Sequence, residues 1–234
     1  MINRIFRPLE YRPGAGLSPA EPPAWTGPVD DSNDPVVQHL DCGVQAFIPK
    51  CYEDRYPYPL LVWLSGDSTP GRDFRTQMCG ISSRNCLGLQ IHLNAAGGHA
   101  AGDVPALIRQ NVGRLRESRH VHTERIFVVG VGRTSRSALG AFLARPEWFG
   151  GAVTLGGELT DRPVVPFRNP ELRGKRLFLA STRAHGAAKT TRAARTLHAA
   201  GLRVTTRHYD AAAGSPVIHR DLNHWLMQGL GVPV

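Results

Sequence analysis

The clearest chemical signature of the chain is the run Arg125-Ile126-Phe127-Val128-Val129-Gly130-Val131-Gly132-Arg133-Thr134-Ser135, an apolar strand that ends in glycines and passes into a helix start. A strand, sharp turn and helix of this kind present a serine for acyl transfer when the turn reads G-x-S-x-G, because the tight turn lifts the hydroxyl above the sheet. Here the nucleophile's position is Gly132 and the second glycine is Thr134. Gly132 has no side chain with which to attack, so the turn is spelled out without its reagent.

Other groups have to be weighed as replacements. Ser135 and Ser137 lie just past the turn, and His219 is an imidazole far along the chain. A relocated hydroxyl and imidazole would have to converge to hydrogen-bond distance. Ser135 equally fits a helix N-cap or first-turn residue, and His219 an exposed or capping position before the last helix. Ser65-Gly66-Asp67 follows an apolar strand, so its backbone N–H groups are candidates for binding an oxyanion. Asp67 there also suits a turn. Arg133 at the glycine turn would favour an anionic group at the helix start.

The ten histidines do not spell a metal site: the close pair His120 and His122 has no carboxylate or thiolate nearby in sequence. No metal and no cofactor is expected. The four cysteines Cys42, Cys51, Cys79 and Cys86 show no C-x-x-C spacing and are expected to be reduced.

These groups need elements to hold them, and 234 residues at 41% hydrophobic content are enough for one sizeable core. No run of about 18 apolar residues occurs, and Pro8 interrupts the N-terminus before a signal-peptide apolar region forms. A cytoplasmic protein without a membrane span is the expectation. The net charge of +9 is concentrated between Asp161 and Asp210, where eleven Lys and Arg face three acidic residues. Polyanion binding by this basic C-terminal third is an alternative function, but without a recognition motif or interleaved aromatics a nucleic-acid partner is not expected.

Residues 1–38 are rich in proline with little apolar periodicity, which predicts an extended N-terminal arm available to a protein partner. Residues 39–234 read as one domain. Val44–Pro49, Tyr58–Leu64 and Leu87–Leu93 have strand patterns, the second apolar throughout as befits burial on both faces. A helix is predicted over Val104–Arg119 and a strand over Ile126–Val129. A helix marked by Ala138, Leu139, Phe142 and Leu143 follows, then strands Gly151–Leu155 and Arg176–Ala180. Thr191–Ala200 is predicted helical and closed by Gly201, Leu202–Tyr209 a strand and Asp221–Met227 the last helix. His185-Gly186 falls in a predicted loop. Alternation of strands and helices implies a three-layer α/β fold, a mostly parallel sheet with helices on both faces.

Several segments match one known family in order and spacing. Ile48-Pro49-Lys50-Cys51-Tyr52 with Tyr58–Gly66, the stretch Arg125–Gly140, then Ala144-Arg145-Pro146-Glu147-Trp148-Phe149-Gly150-Gly151-Ala152-Val153, and Ala199–Tyr209 with Asp221–Leu226 are similar to the α/β-hydrolase superfamily. The resemblance is to its small esterases of the phospholipase/carboxylesterase and polyhydroxybutyrate-depolymerase-like groups, and spans residues 43 to 230.

That resemblance implies a Ser-His-acid triad, in which imidazole activates the hydroxyl and the carboxylate fixes the imidazole. The serine slot is Gly132. The acid slot follows the strand ending at Ala180, yet no Asp or Glu occurs between Glu171 and Asp210. The histidine slot, Asp210–Pro216, contains no histidine, and the family's His-Gly after the second apolar strand is Ser65-Gly66. Glycine also relaxes the positive φ that an elbow nucleophile holds at about 1–3 kcal/mol. The expectation is a catalytically inactive, esterase-like binding or assembly subunit, with a small anionic ligand in the residual cleft. The alternative is an active carboxylic ester hydrolase using Ser135 or Ser137.

Overall fold

The computed structural model describes residues 34–41, 43–66, 73–93, 104–157, 159, 163, 165, 169–182, 184–210 and 215–228. The proline-rich segment 1–33 and Asp67 lie outside the described residues.

Eight strands form one sheet: β1 (Val36–Asp41), β2 (Val44–Ile48), β3 (Tyr58–Gly66), β4 (Leu87–Leu93), β5 (Val121–Val131), β6 (Gly151–Leu155), β7 (Arg176–Ser181) and β8 (Arg203–His208), in the order β1-β2-β4-β3-β5-β6-β7-β8. The pairs β1–β2 and β2–β4 are antiparallel and every later pair is parallel. Among the described residues are five α-helices: α1 (Phe74–Ile81), α2 (Val104–Arg116), α3 (Thr134–Ala144), α4 (Ala184–Ala199) and α5 (Ser215–Gln228).

Strand β3 shows why both faces must be covered. Leu60, Val62 and Leu64 join one core with Ile108 and Val112 of α2, Ala138 and Phe142 of α3 and Leu197 of α4. Leu61 and Trp63 point the other way, into a core with Phe74 and Met78 of α1 and Leu222 and Trp225 of α5. Alternate side chains of a strand face opposite sides of the sheet, so a continuous apolar run requires two layers of helix. α1 and α5 form one layer, α2, α3 and α4 the other.

The strand order has a switch point between β3 and β5. From β3 the chain turns through α1 to β4, and from β5 it turns through α3 to β6 on the opposite side. Between the C-terminal ends of β3 and β5 the connections diverge, and open α/β sheets bind ligands in such a crevice. Gly66 and Gly132 stand at those two strand ends.

Several expected boundaries shift. β1 begins at Val36, so the arm boundary expected at residue 38 falls inside a strand. β5 starts at Val121, five residues before its expected start, because exposed Thr123 and Glu124 hide its apolar pattern. Helix α2 ends at Arg116 rather than Arg119. The helix expected from Thr191 starts at Ala184, which turns the expected loop at His185-Gly186 into the first turn of α4. It still ends before Gly201, whose φ of 94° is the left-handed conformation expected there. Helix α5 begins at Ser215, six residues before the predicted Asp221. Helix α1 was not anticipated, although Asp73 caps it by accepting from the N–H groups of Arg75 and Thr76. Among the described residues, no helix is long and apolar enough to cross a membrane.

Candidate active-site crevice

The turn after β5 has the backbone of an elbow. Gly132 sits at φ 59° and donates its N–H to Leu155 O at 2.8 Å. A Cβ built on Gly132 would meet no atom of the described residues within 4 Å. The strand and helix come together one turn earlier: a Cβ on Gly130 would lie 2.5 Å from Thr134 O and 2.6 Å from Ser135 Cα. Gly157, just after β6, closes on the same point, since a Cβ there would overlap Ser135 Cβ and Gly132 O.

Thr134 is accommodated rather than excluded. Its side chain is buried, and its hydroxyl accepts from Val131 N–H at 2.9 Å and donates to Leu64 O at 2.7 Å. Thr134 thus ties the end of β3 to the elbow, and the close approach is made by Gly130 and Gly157.

The replacement nucleophiles fare differently. Ser135 is fully buried and donates its hydroxyl to Gly130 O at 3.1 Å. Ser137 is half-buried on α3. His219 is buried on α5, not exposed before a helix, and packs so tightly on α1 that a Cβ on Gly80 would overlap its Nδ1. Because α3 and α5 lie on opposite faces of the sheet, neither serine meets His219. The structure therefore does not bring Ser135 or Ser137 to His219: the sheet stands between them.

Of the binding candidates, Arg133 is exposed at the start of α3, while Ser65 and Gly66 close β3, with Gly66 Cα carrying space for a Cβ 3.5 Å from Thr134 Cγ2. Ser65 and Gly66 end β3, and Arg133 follows the end of the neighbouring strand β5. The described residues contain no group of three or more His, Cys, Asp and Glu arranged to hold a metal ion.

No protein-family model and no curated protein sequence matches the chain. Solved structures do. A bacterial heroin esterase superimposes with TM-score 0.62 at 16% identity, over 86% of this chain and 86% of that one. Brefeldin A esterase, a bacterial homologue of human hormone-sensitive lipase, gives TM-score 0.60 at 15% identity over 88% of this chain and 81% of its own. A Bacillus cereus carboxylesterase gives 0.57 at 14% identity over 73% and 88%. The chain has the α/β-hydrolase fold.

Within that fold, the C-terminal ends of the strands carry two serine–histidine contacts that sequence reasoning missed. Ser65 Oγ on β3 lies 3.0 Å from His92 Nδ1 on β4. Ser181 Oγ, the last residue of β7, lies 2.7 Å from His208 Nδ1, the last of β8. Both are direct partners in parallel ladders. Sequence spacing carries no such signal, since 27 residues separate each pair and only the register brings them together.

The two pairs occupy different surroundings. Ser181 faces the α4 layer, where a Cβ on Gly186 would lie 3.4 Å from its own. Three interstrand spacings, about 14 Å, separate β8 from β5, so His208 does not reach over Gly132. Beyond it, buried Tyr209 donates its hydroxyl to Asp221 at 3.0 Å, and burial first, then that carboxylate, raises its pKa above the usual tyrosine range. Ser65 faces the α1 and α5 layer, one residue beyond the Leu64–Gly130 pairing that joins β3 to β5.

A small pocket lies at the opposite end of the sheet, lined by Pro59, Cys86, Arg125, Asn223 and Leu226 among others. Burial pushes the Cys86 thiol up to about 12, which leaves it protonated and inert at neutral pH.

Proposed function

We propose that this α/β-hydrolase-fold protein binds small carboxylic acids and esters in the crevice between β3 and β5, with no nucleophile supplied by the elbow. The observation that carries the reading is Gly132: a left-handed φ of 59° with no atom of the described residues within 4 Å of a Cβ built there. The room a serine side chain would take is available to a ligand oxygen. The N-terminus of α3, whose first N–H groups have no intrahelical acceptor, favours negative charge there. Exposed Arg133 adds a full positive charge. The ester hydrolase activities of the structural neighbours supply the chemical class, because a site shaped for an ester's tetrahedral oxyanion also suits a carboxylate.

The test is titration of the purified protein with butyrate and phenylacetate, followed by amide shifts in nuclear magnetic resonance. Saturable shifts centred on Gly132, Arg133 and Thr134 are expected. Arg133→Ala should weaken binding about three- to tenfold, the effect of about 1 kcal/mol from a charge-assisted contact. Absence of saturable shifts, or an affinity indifferent to Arg133→Ala, would overturn the proposal.

A further inference from the structure

Among the described residues, one hydroxyl–imidazole contact lies on the strand next to the elbow. Ser65 Oγ and His92 Nδ1 stand 3.0 Å apart, within the range at which an imidazole takes a hydroxyl proton. Ser65 sits between Leu64 and Gly66, and both neighbours touch the elbow: Leu64 O accepts from the Thr134 hydroxyl, and Gly66 packs on Thr134 Cγ2. The serine is thus placed one residue from the vacated nucleophile position, on the adjoining strand. The residue is 6% exposed, a setting of low dielectric in which a transferred proton and the oxygen it leaves interact strongly.

The ladder fixes the pair. Ser65 and His92 are direct partners in the parallel β3–β4 register, and His92 N–H donates to Gly43 O at 2.9 Å, which pins the strand that carries the imidazole. The second acceptor within reach of the Ser65 hydroxyl, Ile91 O, is at 3.4 Å, a longer contact than His92. The imidazole is presented through Nδ1, so the tautomer that accepts the serine proton carries its own hydrogen on Nε2.

We infer that Ser65 is an acyl acceptor for activated carboxylic esters, with His92 as its base, in place of the missing elbow nucleophile. The inference rests on the crevice being the site for esters. In the first step Ser65 Oγ bonds to the ester carbonyl carbon and its proton passes to His92 Nδ1. Collapse of the tetrahedral adduct breaks the bond to the leaving oxygen, which takes the proton from the imidazolium and departs as the alcohol. Water, deprotonated by His92, then attacks acyl-Ser65, releases the carboxylic acid and returns the proton to Ser65 Oγ. The Ser181–His208 contact, on the α4 face and three strands from β5, is an internal comparison with the same chemistry outside the crevice.

The test is incubation of the full chain with a fluorophosphonate, read by intact mass and by peptide mapping. One adduct per chain on Ser65 is expected, lost in Ser65→Ala and retained in Ser137→Ala. His92→Gln should slow labelling at least about a hundredfold, the lower end of what a general base contributes. No adduct, an adduct mapped to Ser181 or any residue other than Ser65, or labelling of His92→Gln at the unmodified rate would overturn the inference. Mapping on the unmutated chain keeps the test decisive even where a variant does not fold. Carboxylate titration separates the two readings: binding without an adduct overturns the Ser65 inference alone, and an adduct without carboxylate binding overturns the ligand reading alone.

Discussion

Gly157 lies directly against Ser135, so close that a Cβ on Gly157 would overlap the serine's own Cβ. The first turn of α3 is consequently sealed from the side of β6, and the Ser135 hydroxyl is turned inward to Gly130 O. The elbow is held by contacts among small residues rather than by any reactive group.

The glycines of the elbow should therefore differ in tolerance. Gly130→Ala and Gly157→Ala each force a methyl into backbone atoms, and each should cost about 3 kcal/mol as overpacking. Gly132→Ala meets no atom and should cost only the about 1–2 kcal/mol of a left-handed alanine. Denaturant unfolding of the three variants measures the order, and equal losses would contradict the geometry.

Restoring a serine should not restore a triad. Gly132→Ser adds a hydroxyl, but His219 is across the sheet, and by strand count His92 on β4 is about 10 Å and His208 about 14 Å away. Fluorophosphonate labelling at residue 132 of this variant should be no faster than that of an ordinary surface serine. Rapid labelling at 132 would mean that an imidazole reaches the elbow.

Stability should decline in mild acid. Burial, and to a lesser degree Arg125, His120 and Arg116, lowers the pKa of half-buried His122 to about 4, while the unfolded side chain titrates near 6.5. Between these values the unfolded chain binds the proton and the folded one does not, so stability present above pH 6.5 is lost as pH falls toward 4. The His122→Gln variant should show a shallower fall of Tm across that interval. An unchanged slope would remove His122 as the cause.

Arg176 ties the sheet to the last helix. Its guanidinium donates to the carbonyls of Trp225 and Leu226 near the end of α5 and stacks 4.3 Å over the Trp225 ring. Arg176→Met keeps the apolar stem and removes the charge, with an expected loss of about 1–3 kcal/mol from a capping cation and a cation–π contact. Thermal unfolding should record it as a drop of about 2–12 °C for a chain of this size.

Local pattern made much of this architecture legible. The both-sided apolar run of β3, the strand–glycine–helix passage at Gly130–Ser135 and the Gly201 stop of α4 are short-range signals, and each appears in the structure where the residues placed it. That Gly132 carries no side chain is also a sequence fact. Helix α1 and strand β1 were not legible, since an eight-residue helix and a half-exposed edge strand leave little periodicity to read. The true extent of α4 and α5 was hidden for a related reason: their first turns carry small and polar residues whose helical state depends on packing below them.

What the sequence determined alone was the order of elements and the residue types at the elbow, because strand and helix periods, glycine turns and missing side chains are properties of neighbours along the chain. Which groups meet was decided only by tertiary structure. Sheet register joined Ser65 to His92 and Ser181 to His208 across 27 residues each, and the sidedness of the helix layers separated Ser135 and Ser137 from His219. A one-residue slip in register would turn Ser65 to the opposite face, and nothing local to Ser65 or His92 fixes that register.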